Sequence, residues 1–76
     1  MKRPIYKIAA EIRLHWKKVN YAAKPYLDAM DSIDSINDNY YYDTAKSVVL
    51  YFLSNARSFT GEDAKRIKKE LKEMTK

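Results

Sequence analysis

The sequence contains no cysteine, and this absence limits how the fold can be held together. Disulfides and thiolate metal ligands are excluded, and His15 is the only imidazole, which suits a reducing compartment. With one glycine and two prolines, the chain has few turn residues, which argues against many short strands. Hydrophobic residues make up 46% of the chain and argue against disorder. We therefore expect one all-α domain over residues 1–76.

Long hydrophobic runs are also missing. The longest, Val48–Leu53, has six residues, whereas a membrane-spanning helix needs about 20. The N-terminal residues Met1, Lys2 and Arg3 imitate the start of a signal peptide, but charged residues from Lys7 onward interrupt the apolar stretch that would have to follow. We expect a mature N-terminus, no membrane contact and a cytoplasmic protein.

Four segments place apolar residues at spacings of three and four, the period of an amphipathic α-helix. The first runs from about residue 4 to 19 and the second from about 23 to 35. The apolar positions are Ile5, Ile8, Ala9, Ile12, Trp16 and Val19, then Tyr26, Ala29, Met30 and Ile33, then Ala45, Val48, Val49, Phe52, Leu53 and Ala56, and finally Ala64, Ile67, Leu71 and Met74. Four short amphipathic helices bury these stripes together in a compact bundle, with the third and most apolar helix at its centre.

Capping residues predict where the helices begin. Pro25 belongs in the first turn of the second helix, because it would kink an interior position. Either Asp38 or Asp43 could cap the third helix, and the earlier start would add Tyr41 to its apolar stripe. Thr60, followed three residues later by an aspartate, is a variant of the capping box and predicts the start of the fourth helix.

The net charge of +5 is unevenly distributed along the chain. Residues 1–20 carry six basic and one acidic side chain, residues 21–45 carry one and five, and residues 46–76 carry eight and four. The outer helices are therefore basic and the middle of the chain is acidic. Such a distribution is typical of proteins that contact charged partners.

The first helix carries a second apolar line on the side away from its core stripe. This outer strip consists of Tyr6, Ala10 and Leu14, spaced four residues apart. The basic residues around it are Arg3, Lys7, Arg13, Lys17 and Lys18. An apolar centre with a charged border is typical of a protein-contact surface. The alternative is that another helix of the same chain covers the strip.

The last helix carries a line of lysines opposite its buried stripe. This lysine ridge consists of Lys65, Lys69, Lys72 and Lys76. It could follow the phosphates of a nucleic acid, since binding that does not depend on base sequence is driven by counterion release. The alternative is a solvated face supported by helix-surface ion pairs between Lys69 and Glu73 and between Glu62 and Arg66.

The tyrosines at 40, 41 and 42 could stack on nucleic-acid bases. However, they lie between Asp38 and Asp43, where a phosphate chain would be repelled. We expect some of these rings to pack on the bundle and the others to cover a loop or contact a protein.

We expect neither catalysis nor a metal or cofactor site. His15 has no assignable carboxylate or serine partner, and a glycine-rich phosphate loop is missing. Asp28, Asp31 and Asp34 step around a helix rather than converging on a cation. The expected partner is therefore a macromolecule.

The stretches KPYLDAM, DNYYYDTAKSVVLYFLSNA and GEDAKRIKKELKEM resemble short hypothetical proteins encoded by phages and other mobile elements of Gram-positive bacteria. The resemblance covers most of the chain and brings no assigned activity or functional residues. It implies a small binding protein, for example an inhibitor of a host defence protein or a modulator of replication or transcription. Our first hypothesis is a protein-binding module that uses the outer strip. The alternatives are nucleic-acid binding through the lysine ridge and the basic first helix, and a structural, self-associating protein.

Overall fold

The computed structural model describes residues 3–76, which form four α-helices and a two-stranded β-hairpin. The helices are α1 (Ile5–His15), α2 (Lys24–Met30), α3 (Ala45–Ser54) and α4 (Glu62–Met74). The strands β1 (Asn39–Tyr40) and β2 (Asp43–Thr44) pair antiparallel directly before α3. The fold is mostly helical, as the periodicity predicts, but the hairpin makes the expectation of a purely α-helical bundle wrong. Met1 and Lys2, on which part of the N-terminal prediction rests, lie outside the described range.

The helices contact one another in a closed circuit of neighbours. α1 packs against α2 and α4, and α3 packs against the same two helices from the other side. α3 also packs against both strands, so it contacts more elements than any other helix, in partial agreement with the prediction of a central third helix. α3 buries one face and leaves Leu50 and Tyr51 exposed on the other. Within residues 3–76, no helix combines the length and apolar character needed to cross a membrane.

The core confirms the predicted apolar stripes, since every position of those stripes is buried or half-buried. Sequence periodicity missed Ala23, Leu27 and Phe59, which are also buried. Phe59 lies in the connection before α4, and its ring stacks on Trp16 with 5.1 Å between centroids. Phe52 of α3 meets the same indole edge-on at 6.2 Å. This aromatic cluster joins α1, α3 and the segment before α4.

The segment after α2 provides hydrogen-bond acceptors for the first turn of α1. The backbone N–H groups of Ile5 and Tyr6 donate to the carbonyls of Asp34 and Ile33, each over 2.9 Å. The first N–H groups of a helix have no partner within the helix, so these bonds satisfy groups that would otherwise need water. The second helix is shorter than the predicted 23–35, and after Met30 the backbone continues in tighter turns, in which the N–H groups of Ser32 and Ile33 donate to carbonyls three residues earlier.

The start of α3 is capped by a residue that the sequence did not indicate. Thr44 Oγ1 accepts a hydrogen bond from the N–H of Ser47 at 3.1 Å. The prediction of Asp38 or Asp43 as the cap is wrong, because the chain before Thr44 forms the hairpin. Tyr41 consequently lies in the hairpin turn and does not extend the α3 stripe. Asp38 instead accepts bonds from the backbone N–H groups of residues 34 and 35.

The start of α4 also differs from its predicted capping box. The residue before the helix is Gly61. Its φ of 106° is a backbone conformation that residues other than glycine rarely adopt. The capping role assigned to Thr60 is therefore wrong. The charge pattern of α4 is as predicted, with Glu62 and Asp63 in the first turn and Lys72 in the last, where each complements the helix dipole. Pro25 lies in the first turn of α2, also as predicted.

Candidate functional site

One flank of α1 is held against α4 by a network of charged side chains. Glu11 accepts hydrogen bonds from Arg66 of α4 at 2.5 Å and forms an ion pair with Arg3 at 2.8 Å. Arg3 also donates two bonds to Glu70 of α4, at 2.6 and 3.0 Å. The Arg66 guanidinium, with a smaller contribution from Arg3, lowers the pKa of Glu11 from 4.5 to about 2, although partial burial opposes the shift. The network fixes α1 and α4 side by side.

The opposite flank of α1 is held against α2. Arg13 Nη2 donates to Asp28 at 2.8 Å and to Asp31 at 2.7 Å. These carboxylates raise the pKa of Arg13, with Asp28 contributing most. Arg3 and Arg13, predicted to border the outer strip, are therefore engaged in ion pairs within the chain. With α4 on one flank and α2 on the other, the rotation of α1 about its axis is fixed.

The outer strip lies on the face of α1 that points into solvent. The side chain of Leu14 is 63% exposed and that of Tyr6 is 43% exposed, and Ala10 between them is also exposed. The alternative that another helix of the described chain covers the strip is therefore wrong. Three exposed lysines remain at its border: Lys7, Lys17 and Lys18. Lys17 and Lys18 lie in a bend just after α1, because the helix ends at His15 rather than near residue 19.

The chemistry of this surface suits contact with a protein. α1 is rigidly placed, so Tyr6 and Leu14 are presented without a large loss of backbone entropy on binding. Apolar side chains supply affinity when a partner removes them from water, whereas lysines at the border mainly accelerate encounter with an acidic surface. Whether the strip binds a partner stays a prediction, but its exposure is a property of the fold.

The lysine ridge is exposed along the whole of α4. Its members, Lys65, Lys69, Lys72 and Lys76, all face solvent. In the described chain, Glu73 pairs with Lys76 at 3.4 Å instead of with Lys69. Arg66 likewise pairs with Glu11 and Asp63 instead of with Glu62. The predicted helix-surface pairs therefore do not form in this structure, and one ridge lysine, Lys76, has an acidic partner.

His15 has two carboxylate neighbours, one of them four residues earlier on the same helix and the other on α4. Its Nδ1 lies 3.5 Å from Asp63 of α4, and its Nε2 lies 3.8 Å from Glu11. The expectation that no carboxylate partner could be assigned is wrong, because α4 packs beside α1 and brings Asp63 close. Both carboxylates also contact Arg66, so the group is a surface charge network. Within residues 3–76, no set of three histidine, aspartate or glutamate side chains is placed to hold a metal ion.

The hairpin turn exposes the rings of Tyr41 and Tyr42. Tyr42 is fully exposed and Tyr41 is 85% exposed, whereas Tyr40 is half-buried and packs on the core. Tyr41 has φ 54°, which is unfavourable for a bulky side chain. The expectation that some of the three rings pack on the bundle is confirmed for Tyr40. The sequence carries no usual hairpin signal here, because the two turn residues are tyrosines and not glycine, asparagine or aspartate.

Sequence reasoning also missed the exposed face of α3, which carries Leu50 and Tyr51. The signal was present, because Val48–Leu53 is continuously apolar. At about 100° per residue, six such residues extend around the whole helix and cannot all face one core. The outward side of α3 is therefore a second exposed apolar surface, separate from the outer strip.

The described surface contains clefts away from the two candidate surfaces. Two clefts on the described part of the surface have volumes of about 230 and 270 Å³. Ligand pockets are usually about 300–1,000 Å³. Neither cleft is lined by the outer strip or by the lysine ridge.

In comparisons with known proteins, no family model, curated protein or solved structure matches this chain, so its candidate sites rest on its own geometry.

Proposed function

We propose that this chain is a non-catalytic protein-binding module whose contact surface is the outer strip of α1. The observation that carries the proposal is the exposure of Leu14 and Tyr6 on a helix held in place by ion pairs on both flanks. A partner with an apolar depression bordered by carboxylates complements this surface. Lys7, Lys17 and Lys18 provide the opposite charge at the border.

The proposed role is inhibition or modulation of a bacterial host protein. It is supported by the resemblance of three stretches of the sequence to short proteins of phages and mobile elements. A module of this size acts by occupying a surface of another protein, and the outer strip is a surface suited to that role. The absence of cysteine agrees with action in the bacterial cytoplasm.

The test compares two leucine substitutions of the same kind on different helices. Leu14→Asp places a charge in the outer strip, and Leu50→Asp places one on the outward side of α3. Both side chains are exposed, so both variants should keep the helical circular dichroism spectrum of the wild type. Tagged wild type, Leu14→Asp and Leu50→Asp are used to capture proteins from a bacterial lysate, and any captured protein is purified and titrated against each.

Leu14→Asp should weaken binding of the captured protein at least tenfold, because burying a leucine side chain contributes about 1.5–3 kcal/mol. Leu50→Asp should bind as the wild type does. Ala10→Arg provides a second test of the strip, since arginine favours helix but blocks close approach. Equal binding by wild type, Leu14→Asp and Ala10→Arg would contradict the proposal.

Nucleic-acid binding through the lysine ridge is a second candidate. It is favoured by the solvent exposure of all four ridge lysines. Fluorescence anisotropy of labelled oligonucleotides at about 50 and about 200 mM salt tests it, because several phosphate contacts cost orders of magnitude in affinity over that range. Alanine at the four ridge positions should then flatten the salt dependence. No binding at the lower salt would remove this candidate.

A further inference from the structure

The turn of the β-hairpin holds two aromatic rings in water. Tyr42 is fully exposed and Tyr41 is 85% exposed. The turn has two central residues, and φ is positive at the first of them, Tyr41. Two-residue hairpins of this kind usually have glycine at that position, because a bulky side chain is strained at positive φ. Strained residues of this sort concentrate at binding sites, where the side chain has a use that offsets the strain.

The chain around these rings is acidic, in contrast to the rest of the molecule. Residues 25–45 contain five aspartates and no basic residue. Two of the five are paired with Arg13 of α1. The other three, Asp34, Asp38 and Asp43, are exposed, and none of them forms an ion pair with a side chain of residues 3–76. The hairpin is therefore bordered by negative charge that the described chain does not neutralise.

Hydrogen bonds and ring contacts bring the carboxylates and the rings together. Asp43 lies directly opposite Tyr40 in the antiparallel pair, so the two side chains share one face of the hairpin. The Tyr40 ring meets the Tyr41 ring edge-on, with 4.8 Å between centroids. The carbonyl of Asp38 accepts a bond from the first N–H of α3, and its carboxylate accepts one from the N–H of Asp34. We call the following residues the hairpin site: Tyr41, Tyr42, Asp34, Asp38 and Asp43.

The combination of exposed tyrosine rings and unpaired carboxylates determines which group fits this site. A guanidinium is flat and positively charged, so it stacks on the face of an aromatic ring and donates parallel hydrogen bonds to a carboxylate. An ammonium carries the same charge but cannot stack. Phosphates and acidic protein surfaces would be repelled by the three aspartates, and an apolar surface would have to take their charges out of water. The complementary group is therefore an arginine side chain.

The net charge of +5 does not oppose an arginine at this place, because the basic residues are elsewhere. The lysines of the lysine ridge lie on α4, and those that border the outer strip lie on α1 or just after it, whereas both strands pack on α3. The single charged residue of α3 is Lys46, in its first turn. Three aspartates therefore face one lysine in this part of the molecule, and the local charge is negative.

We propose that the hairpin site binds an arginine-bearing segment of a partner protein, with guanidinium groups stacked on the two turn tyrosines and paired with the neighbouring aspartates. The outer strip, which is bordered by lysines, fits an acidic partner instead. The molecule thus has two contact surfaces of opposite charge. The hairpin site is independent of the proposed function, since it uses other residues and another kind of partner.

An NMR titration of the full ¹⁵N-labelled chain tests the proposal with a defined probe. The probe is a tripeptide with capped termini and an arginine on each side of a glycine, added up to about 10 mM because two side-chain contacts give millimolar affinity. We expect the backbone amide signals of Tyr41, Tyr42 and Asp43 to shift with saturation. The matching lysine tripeptide should bind at least twofold more weakly because it cannot stack, and the glutamate tripeptide should leave these signals in place.

Two variants test the rings and the carboxylate separately. Tyr41→Gly combined with Tyr42→Ser removes both rings and leaves a favoured turn sequence, so the fold should be retained. It should raise the dissociation constant of the arginine tripeptide at least threefold, since each ring contact with a cation contributes about 0.5–1 kcal/mol. Asp43→Asn should raise it about two- to fivefold through loss of the ion pair, and it leaves the turn unchanged.

Tyr21→Ser is the matched control, because Tyr21 is 91% exposed but lies between Lys18 and Lys24. It should bind the arginine tripeptide as the wild type does. Hairpin signals that do not shift at 10 mM probe would overturn the proposal. So would equal affinity for the lysine tripeptide, or an unchanged dissociation constant in both hairpin variants. Because the probe is a defined peptide and the outer strip is intact throughout, failure here leaves the proposed function untouched, and the converse also holds.

Discussion

The ion pairs of Glu11, which hold α1 beside α4, should make the stability of the protein depend on pH. Its carboxylate lies between Arg66 and Arg3, and its pKa falls to about 2 in the folded protein from an ordinary value of 4.5. Because the folded-state pKa is the lower of the two, the stabilisation is complete above pH 4.5 and is lost as pH falls toward 2. Glu11→Gln removes the charge and keeps the shape of the side chain.

The size of the stability loss in Glu11→Gln follows from the pKa shift of Glu11 and from the solvent exposure of its two arginine partners. One pKa unit corresponds to about 1.4 kcal/mol, so the full shift would correspond to about 3 kcal/mol. Both arginines are partly in water, with 36% of the Arg3 side chain and 49% of the Arg66 side chain exposed. Screening by that water reduces the expected effect to about 1 kcal/mol. At neutral pH, Glu11→Gln should therefore lower the free energy of unfolding by about 1 kcal/mol.

The assay is urea unfolding followed by fluorescence of Trp16, the single tryptophan, which is buried against Phe59. Wild type and Glu11→Gln are compared from neutral pH down to pH 2, where their stabilities should converge because Glu11 becomes protonated. The control Glu73→Gln removes a carboxylate paired with exposed Lys76 and should change stability by less than about 0.5 kcal/mol. Parallel pH profiles for wild type and Glu11→Gln would refute the reasoning.

Two further predictions concern local backbone structure. Thr44→Ala should lower the free energy of unfolding by about 1 kcal/mol because it removes the bond to the N–H of Ser47, whereas Thr60→Ala should have little effect. Urea unfolding of both variants checks this, and a larger loss for Thr60→Ala would contradict the assignment of the caps. Tyr41→Gly should stabilise the protein by up to about 1 kcal/mol, since glycine adopts φ 54° without strain. A lower thermal midpoint for Tyr41→Gly would show that the ring contributes more than its backbone conformation costs.

Apolar periodicity located the four helices and most of their buried positions, although it missed Leu27 of α2. Ile5, Ile8 and Ile12 are buried on α1, and the exposed positions between them include the outer strip. This succeeded because the side of a helix on which a residue lies depends only on its spacing from its neighbours. The same rule predicts that Tyr6 and Leu14 share a face away from the core.

What lies beside each helix could not be predicted in this way. Arg66 was assigned a local pair with Glu62, but in the folded chain it contacts Glu11 of α1. Phe59 was assigned no role because it lies outside every helical stripe, and it is buried against Trp16. Both contacts join segments that are distant in sequence, and a single sequence contains no distance information across such separations. The order of the helices in space could not be predicted for the same reason.

The central claim, that the outer strip is a protein-binding surface, is tested most directly by site-specific photocrosslinking in bacterial cells. A photoreactive phenylalanine analogue replaces Ala10 in the outer strip or, as the control, Lys65 in the lysine ridge. The strip position should give a protein adduct whose mass exceeds that of a dimer of this chain, and the ridge position should give none. An adduct from Lys65 alone, whether with protein or nucleic acid, would contradict the account.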